Sequence, residues 1–163
     1  MNERKEKAKA YEADVVQLVK RKHPHWAVAE PTNDYATVDG IAYHNTNQQL
    51  VAVYEIKCRN QSFSDLISKY NSEMLVDASK LESMRIISRM LRIPSYLFSY
   101  LLRDGVVLKT KITNDNGQFI CDKVDAQQIA PAGLDKENIS KKMSKVKIDG
   151  TEILSTSEAT GAI

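Results

Sequence analysis

Residues 4–22 carry Ala8, Tyr11, Val15, Leu18 and Val19 at i, i+3, i+4, i+7 spacing, with lysines and arginines filling the opposite side. That periodicity predicts an amphipathic helix, ended by His23-Pro24. Beyond it the period falls to two. Trp26–Glu30 predicts a first strand, closed by Pro31-Thr32-Asn33-Asp34, and Ala36–Tyr43 predicts a second. The polar run 44–49 reads as a turn, and Leu50–Cys58 as a third strand. In this third run Val51 and Val53 alternate with Ala52, Tyr54, Ile56 and Cys58, so both faces are apolar. A strand of that kind is central and covered from both sides.

Arg59–Ser62 breaks the strand, and Phe63–Tyr70 reads as a short helical or irregular segment. Leu81, Met84, Ile87 and Leu91 predict a strong helix that starts at Asp77–Lys80, with Asp77 as its N-cap, and stops at Ile93-Pro94. Ser95–Leu102 predicts a buried strand, Arg103-Asp104-Gly105 a hairpin turn and Val106–Thr113 the returning strand. Asn114–Gly117 predicts another turn, before a strand over Phe119–Val124. From Gln127 the signal fades into a stretch holding Lys136, Lys141, Lys142, Lys145 and Lys147. The order is helix, three strands, helix, strands, which predicts an α/β fold with a mixed sheet flanked by helices. We expect one domain over residues 1–154 and a disordered tail at 155–163.

Length and charge add bounds rather than direction. The 163 residues suffice for one real core, and a formal charge of +2 permits a nucleic-acid partner without arguing for one. The start, Met1-Asn2-Glu3-Arg4-Lys5, lacks the apolar stretch of a secretory signal, and no apolar run approaches membrane-spanning length. Cys58 and Cys121 form no C-x-x-C and no zinc spacing, so reduced thiols in the cytoplasm are expected.

The predicted strands carry one costly cluster. Asp39 lies in Thr37-Val38-Asp39-Gly40, and Glu55 and Lys57 lie in Val53-Tyr54-Glu55-Ile56-Lys57. Strand alternation puts Glu55 and Lys57 on one face, about 6–7 Å apart. A hairpin turning near residues 46–47 brings Asp39 opposite 54 or 55, within reach of Glu55. Two carboxylates at that range repel unless a cation lies between them. Hard oxygen donors favour Mg²⁺ or Mn²⁺. The neighbouring ammonium suits a phosphate oxygen or an attacking water. Gly40 would permit a close substrate backbone or a bulge.

Asp39, then Glu55-Ile56-Lys57 on the next strand, with a helix before and a helix after, resembles the PD-(D/E)xK nuclease superfamily over residues 8–113. The small phage-encoded and Holliday-junction-resolvase-like branches are nearest in size. The resemblance implies a restriction-endonuclease-like core and a Mg²⁺-dependent nuclease that hydrolyses DNA phosphodiesters, leaving a 5′-phosphate. It implies Asp39 and Glu55 as metal ligands and Lys57 as the cation assisting the water. Many members add a Glu from the first helix, and Glu12, on the border of that helix's apolar face, is the counterpart. Some place a Lys at the start of the following helix, where Lys80 stands. The departure is Val38, where the motif's name has Pro. One such site cuts one strand, so a double-strand break needs a homodimer or two successive nicks.

Plainer readings stand beside this one. Glu55 and Lys57 could form an exposed ion pair on an edge strand, although the two apolar faces of their strand argue otherwise. Asp14 or Glu30 could supply the third acid in place of Glu12, and Arg59 could contact a backbone phosphate. The three histidines lack a metal-binding partner set, and Tyr96, Phe98 and Tyr100 alternate as core residues do. The C-terminal lysines read as a solvated face or a DNA-contacting strip. The alternative function is a non-catalytic nucleic-acid-binding or assembly protein on the same fold, and RNA remains open beside DNA as substrate.

Overall fold

The computed structural model describes residues 3–32, 37–131 and 138–155. Chain order runs α1 (Glu3–Lys22), β1 (Trp26–Ala29), β2 (Gly40–His44), β3 (Leu50–Arg59), α2 (Phe63–Ser68) and β4 (Glu73–Asp77). It continues with α3 (Ala78–Leu91), β5 (Ser95–Leu101), β6 (Val106–Thr113), β7 (Lys123–Pro131), β8 (Asn138–Lys147) and β9 (Glu152–Ser155). Six strands form the main sheet in the order β1-β2-β3-β5-β6-β9, and β4-β8-β7 form a second, smaller sheet. Among the described strands the only parallel pair is β3 with β5, joined through α3; the other pairs are antiparallel.

The apolar faces of β3 explain the layering. Tyr54 and Ile56 meet Phe98 of β5 and the Val15, Val16, Leu18 and Val19 stripe of α1. On the other face Val53 and Leu97 pack with Leu81 and Met84 of α3, Val76 of β4 and Val146 of β8. The central strand is thus sandwiched between α1 on one side and α3 with the second sheet on the other. Tyr96 and Tyr100 pack around Phe98 in the α1 layer, as their alternation predicts.

Three expectations change. Residues 37–39 form a bend, so the second strand begins at Gly40, and Ala36, its expected first residue, lies outside the described residues. Of the strand expected over Phe119–Val124, only Lys123 and Val124 are strand, as the start of β7; Phe119 makes one isolated bridge to Thr113. Asp77 stands at the N-cap of α3 but makes no capping bond with its side chain. It is also the last residue of β4, paired with Met143, and the strand geometry fixes it. The second sheet itself is not foreshadowed by the hydrophobic pattern. Of the expected tail, Ser155 closes β9 and residues 156–163 lie outside the described residues.

Gly40 has a different task from the one its sequence context suggests. A methyl group there would overlap the Tyr54 ring and hydroxyl, so the missing Cβ lets the phenol pack beneath the start of β2.

Candidate active site

β2 and β3 pair with Tyr43 opposite Leu50, the register of a turn near 46–47, and an irregularity between Ala42 and Tyr43 then sets Ile41 opposite Val53 and Gly40 opposite Tyr54. Asp39 follows on: its N–H donates to the Tyr54 carbonyl at 3.2 Å, and its Oδ2 accepts from the Ile56 N–H at 2.7 Å. Asp39 therefore brackets Glu55, its backbone N–H on the Tyr54 carbonyl and its carboxylate on the Ile56 N–H. Glu55 lies opposite Leu97 of β5, so its side chain belongs to the face covered by α3.

Glu55 is 1% exposed. Its Oε1 lies 2.9 Å from Lys57 Nζ and 3.6 Å from Lys80 Nζ, while Oε2 is buried with no hydrogen-bond partner among the described residues. Lys57 comes from the same strand face two residues on. Lys80 comes from the first turn of α3, and its Nζ also donates to the Thr37 carbonyl at 3.4 Å. Burial raises the Glu55 pKa and Asp39 adds to the rise, against the pull of Lys57 and Lys80. Removing a carboxylate from water disfavours its charge, and the two ammonium groups oppose that penalty.

Glu12 enters from α1. Its carboxyl is raised above the ordinary range by burial first, then by Asp39, Glu55 and Glu30, with Lys57 opposing. Glu12, Asp39, Glu30 and Lys80 line one cleft of ≈ 440 Å³, together with Lys5 and Lys9 of α1. The structure thus brings Glu12, Asp39, Glu55, Lys57 and Lys80 together, and Glu30 joins them from the end of β1. Lys5, Lys9 and Glu12 recur at helical spacing, the signal by which the cleft-facing lysines could have been found.

Arg59 does not join this group. Its Nη1 donates to the Cys58 carbonyl at 3.2 Å and its Nη2 to the Leu75 carbonyl at 2.6 Å. Burial lowers its pKa, with Asp77 compensating. The guanidinium bridges β3 to β4 across the gap between the two sheets.

Among the described residues, no three His, Cys, Asp or Glu side chains stand close enough to cage a metal by themselves. The donor set nonetheless fits a small hard cation. One buried carboxylate oxygen of Glu55 lacks a partner, and Asp39 and Glu12 supply further oxygens. The thiols offer no competing site: burial pushes Cys58 up to about 11 and raises Cys121.

No protein-family model and no curated protein sequence matches the chain. Among solved structures, the chain is similar to Hjc of Archaeoglobus fulgidus, a Holliday junction resolvase from an archaeal hyperthermophile. The TM-score is 0.52 at 14% identity, over 96% of this chain and 98% of that one. The two share a fold. The mixed sheet flanked by helices is therefore the resolvase and restriction-endonuclease-like architecture that the sequence predicts. No helix among the described residues is long and apolar enough to cross a membrane.

Proposed function

We propose that the chain is a divalent-metal-dependent nuclease acting on DNA, with Asp39 and Glu55 as the metal-holding carboxylates and Glu12 as an outer oxygen donor. The observation that carries this reading is Glu55: 1% exposed, with two lysines on one oxygen and no hydrogen-bond partner among the described residues on the other. A buried carboxylate costs several kcal/mol when incompletely paired, and a core position would be easier to fill with an apolar residue. Mg²⁺ or Mn²⁺ bound there would supply charge neutralisation for in-line phosphodiester displacement and acidify a water.

The chain's own groups supply the rest. Lys57, on the same strand face as Glu55, would orient a water or take a phosphate oxygen. Lys80 lines the cleft from the first turn of α3 and suits the adjacent phosphate. Asp39, pinned by the Ile56 N–H, keeps its remaining lone pairs in a fixed direction. Glu12 and Glu30 add carboxylates to the cleft that Lys80 lines.

The test is a cleavage panel in Mn²⁺ with single-stranded, duplex, circular and four-way-junction DNA, with Asp39→Asn and Lys57→Ala as controls. The likeness to a Holliday junction resolvase puts the junction first. Products from the parent chain alone support the reading; no product on any substrate sinks it. One observation favours a second reading, a non-catalytic nucleic-acid-binding protein: Lys57 and Lys80 already balance Glu55 without a metal. Parent and Asp39→Asn chains that bind DNA equally, with no metal-dependent behaviour in either, would favour it.

A further inference from the structure

Glu30, Gly40 and Tyr54 stand in one row across the main sheet. Ala29 pairs with Ile41, so Glu30, the next residue of the chain, comes level with Gly40. Gly40 in turn pairs with Tyr54. Residues level with one another on neighbouring antiparallel strands share a face. Here it is the face that α1 covers: Val28, two residues before Glu30, and Tyr54 both pack in the α1 layer. Gly40, in the middle of the row, has no side chain. That space is filled from one side, by the Tyr54 ring and hydroxyl lying over Gly40. The phenol thereby points along the row toward Glu30, whose backbone is two strand spacings away, about 10 Å.

The hydroxyl at the end of that ring is out of place in an apolar layer. Tyr54 is 3% exposed, and its oxygen has no hydrogen-bond partner among the described residues. The ring needs no hydroxyl to pack: it meets Phe98 edge-on, 5.9 Å between centres, as a phenylalanine would. A dry, unpaired hydroxyl is a cost that phenylalanine would avoid. Three acids lie near it. Burial first, then the charges of Glu30, Asp39 and Glu12, raises the Tyr54 pKa, so the oxygen keeps its proton and is a donor. The same three acids line the cleft of the candidate site.

We propose that Tyr54 is a positioning residue of the candidate site: with a divalent cation in the cleft, its hydroxyl donates to the Glu30 carboxylate and holds that acid toward the cation. The proposal rests on the metal-dependent reading above and adds Glu30 to the groups that serve the cation. Without a cation Glu30 is exposed, and like charge holds it away from Asp39 and Glu12. A cation reverses that repulsion and draws Glu30 inward, over Gly40, to the hydroxyl. Carboxylates that serve a metal are themselves hydrogen-bonded by groups behind them, which fix their direction. Gly40 gains a second task in this arrangement, because a side chain there would stand between the hydroxyl and Glu30.

Mn²⁺ alone is the probe, and the melting temperature of the full chain against Mn²⁺ concentration is the readout. Tyr54→Phe removes one oxygen and keeps the ring. It is expected to raise about tenfold the Mn²⁺ concentration that produces a given rise in melting temperature, the low end of what groups behind metal ligands contribute. Its urea midpoint without metal is expected to equal or exceed the parent's, because no hydrogen bond is lost. Glu30→Ala is expected to cost a similar factor in Mn²⁺, and the double variant no more than either alone, since the two groups act as a unit. Parental Mn²⁺ dependence in Tyr54→Phe overturns this proposal alone. So do losses that add in the double variant. A metal-free midpoint of Tyr54→Phe well below the parent's also overturns it, by showing the hydroxyl already partnered. A parent chain unmoved by Mn²⁺ removes the metal-dependent reading and this proposal with it. A parent that binds Mn²⁺ through Tyr54 and Glu30 but cleaves no DNA keeps this proposal and removes the nuclease reading.

Discussion

Gly40 and Arg59 show how single residues hold the site without entering its chemistry. Gly40→Ala places a methyl in the volume of the Tyr54 phenol and should cost about 1–3 kcal/mol, the usual range for overpacking. In a Tyr54→Ala background the same methyl meets empty space, so the two changes should be strongly non-additive. Urea midpoints of the four chains decide this. An equal cost for Gly40→Ala in both backgrounds would show that the phenol is not the obstacle. Arg59 serves a different joint. Its two bonds reach carbonyls on both sides of the gap between the sheets, so Arg59→Ala should lower stability by about 1–3 kcal/mol through unpaired carbonyls. Metal-free affinity for DNA should stay within about twofold of the parent. A large loss of affinity at unchanged stability would return Arg59 to the phosphate-contacting role that its place after Glu55-Ile56-Lys57 suggests.

At the scale of elements, α1 is anchored at its middle and at its C-terminal end by different physics. Its middle packs Val15, Leu18 and Val19 on the sheet, while its C-terminal end is fixed by a polar-aromatic cluster. His23 stacks on Trp26 with ring centres 3.9 Å apart. Lys109 Nζ lies 3.3 Å from His23 Nε2, 4.7 Å from the Tyr96 ring centre and 3.5 Å from Glu152 Oε2. Burial, then Lys109, holds His23 below its ordinary pKa, against the pull of Glu152. The unfolded chain then binds the proton more readily than the folded one, so this contribution is complete above about pH 6.5 and is lost as pH falls toward the lowered value. The gap in melting temperature between parent and His23→Gln should accordingly shrink from about pH 7.5 to about 5.5. A gap that is constant with pH would exclude His23 as the titrating group. The elements legible in the sequence are those whose burial is one-sided and local: α1 and α3 by their 3.6-residue stripes, β3, β5 and β6 by their apolar runs. β4 is not legible because five residues, Glu73–Asp77, alternate too briefly to stand out. β7 and β8 are not legible because their sequences, rich in lysine and glutamine, hold no sustained apolar alternation. In addition, β4 finds β8 only after some 65 intervening residues.

For the whole molecule, the decisive question is whether the buried charges stand there for a cation. A hairpin register fixes Asp39 beside Glu55, and strand alternation fixes Lys57 on the same face, so both were open to a reading of the sequence. Lys80 is expected at the head of α3 from the resemblance, but nothing in the sequence shows that it reaches the same carboxylate as Lys57, or that Glu55 leaves one oxygen without a partner among the described residues. Both depend on how α3 packs over β3. That packing gives a thermodynamic test that is independent of any substrate. A ligand bound only by the folded chain stabilises it by about 2.7 kcal/mol at about one hundred times its Kd. For a chain of this size each kcal/mol moves the melting temperature by about 2–4 °C, so saturating Mn²⁺ should raise it by roughly 5–11 °C. Asp39→Asn should remove most of that rise while keeping the Ile56 N–H bond through its amide oxygen. Lys57→Ala should leave the rise intact or enlarge it, because it removes an ammonium that competes for Glu55. Calcium, which binds oxygen donors but demands more of them, should raise the melting temperature less than Mn²⁺ does. A parent chain whose melting is unmoved by either ion, with Asp39→Asn equal to it, would make the acids a structural ion-pair network and the fold a binding scaffold.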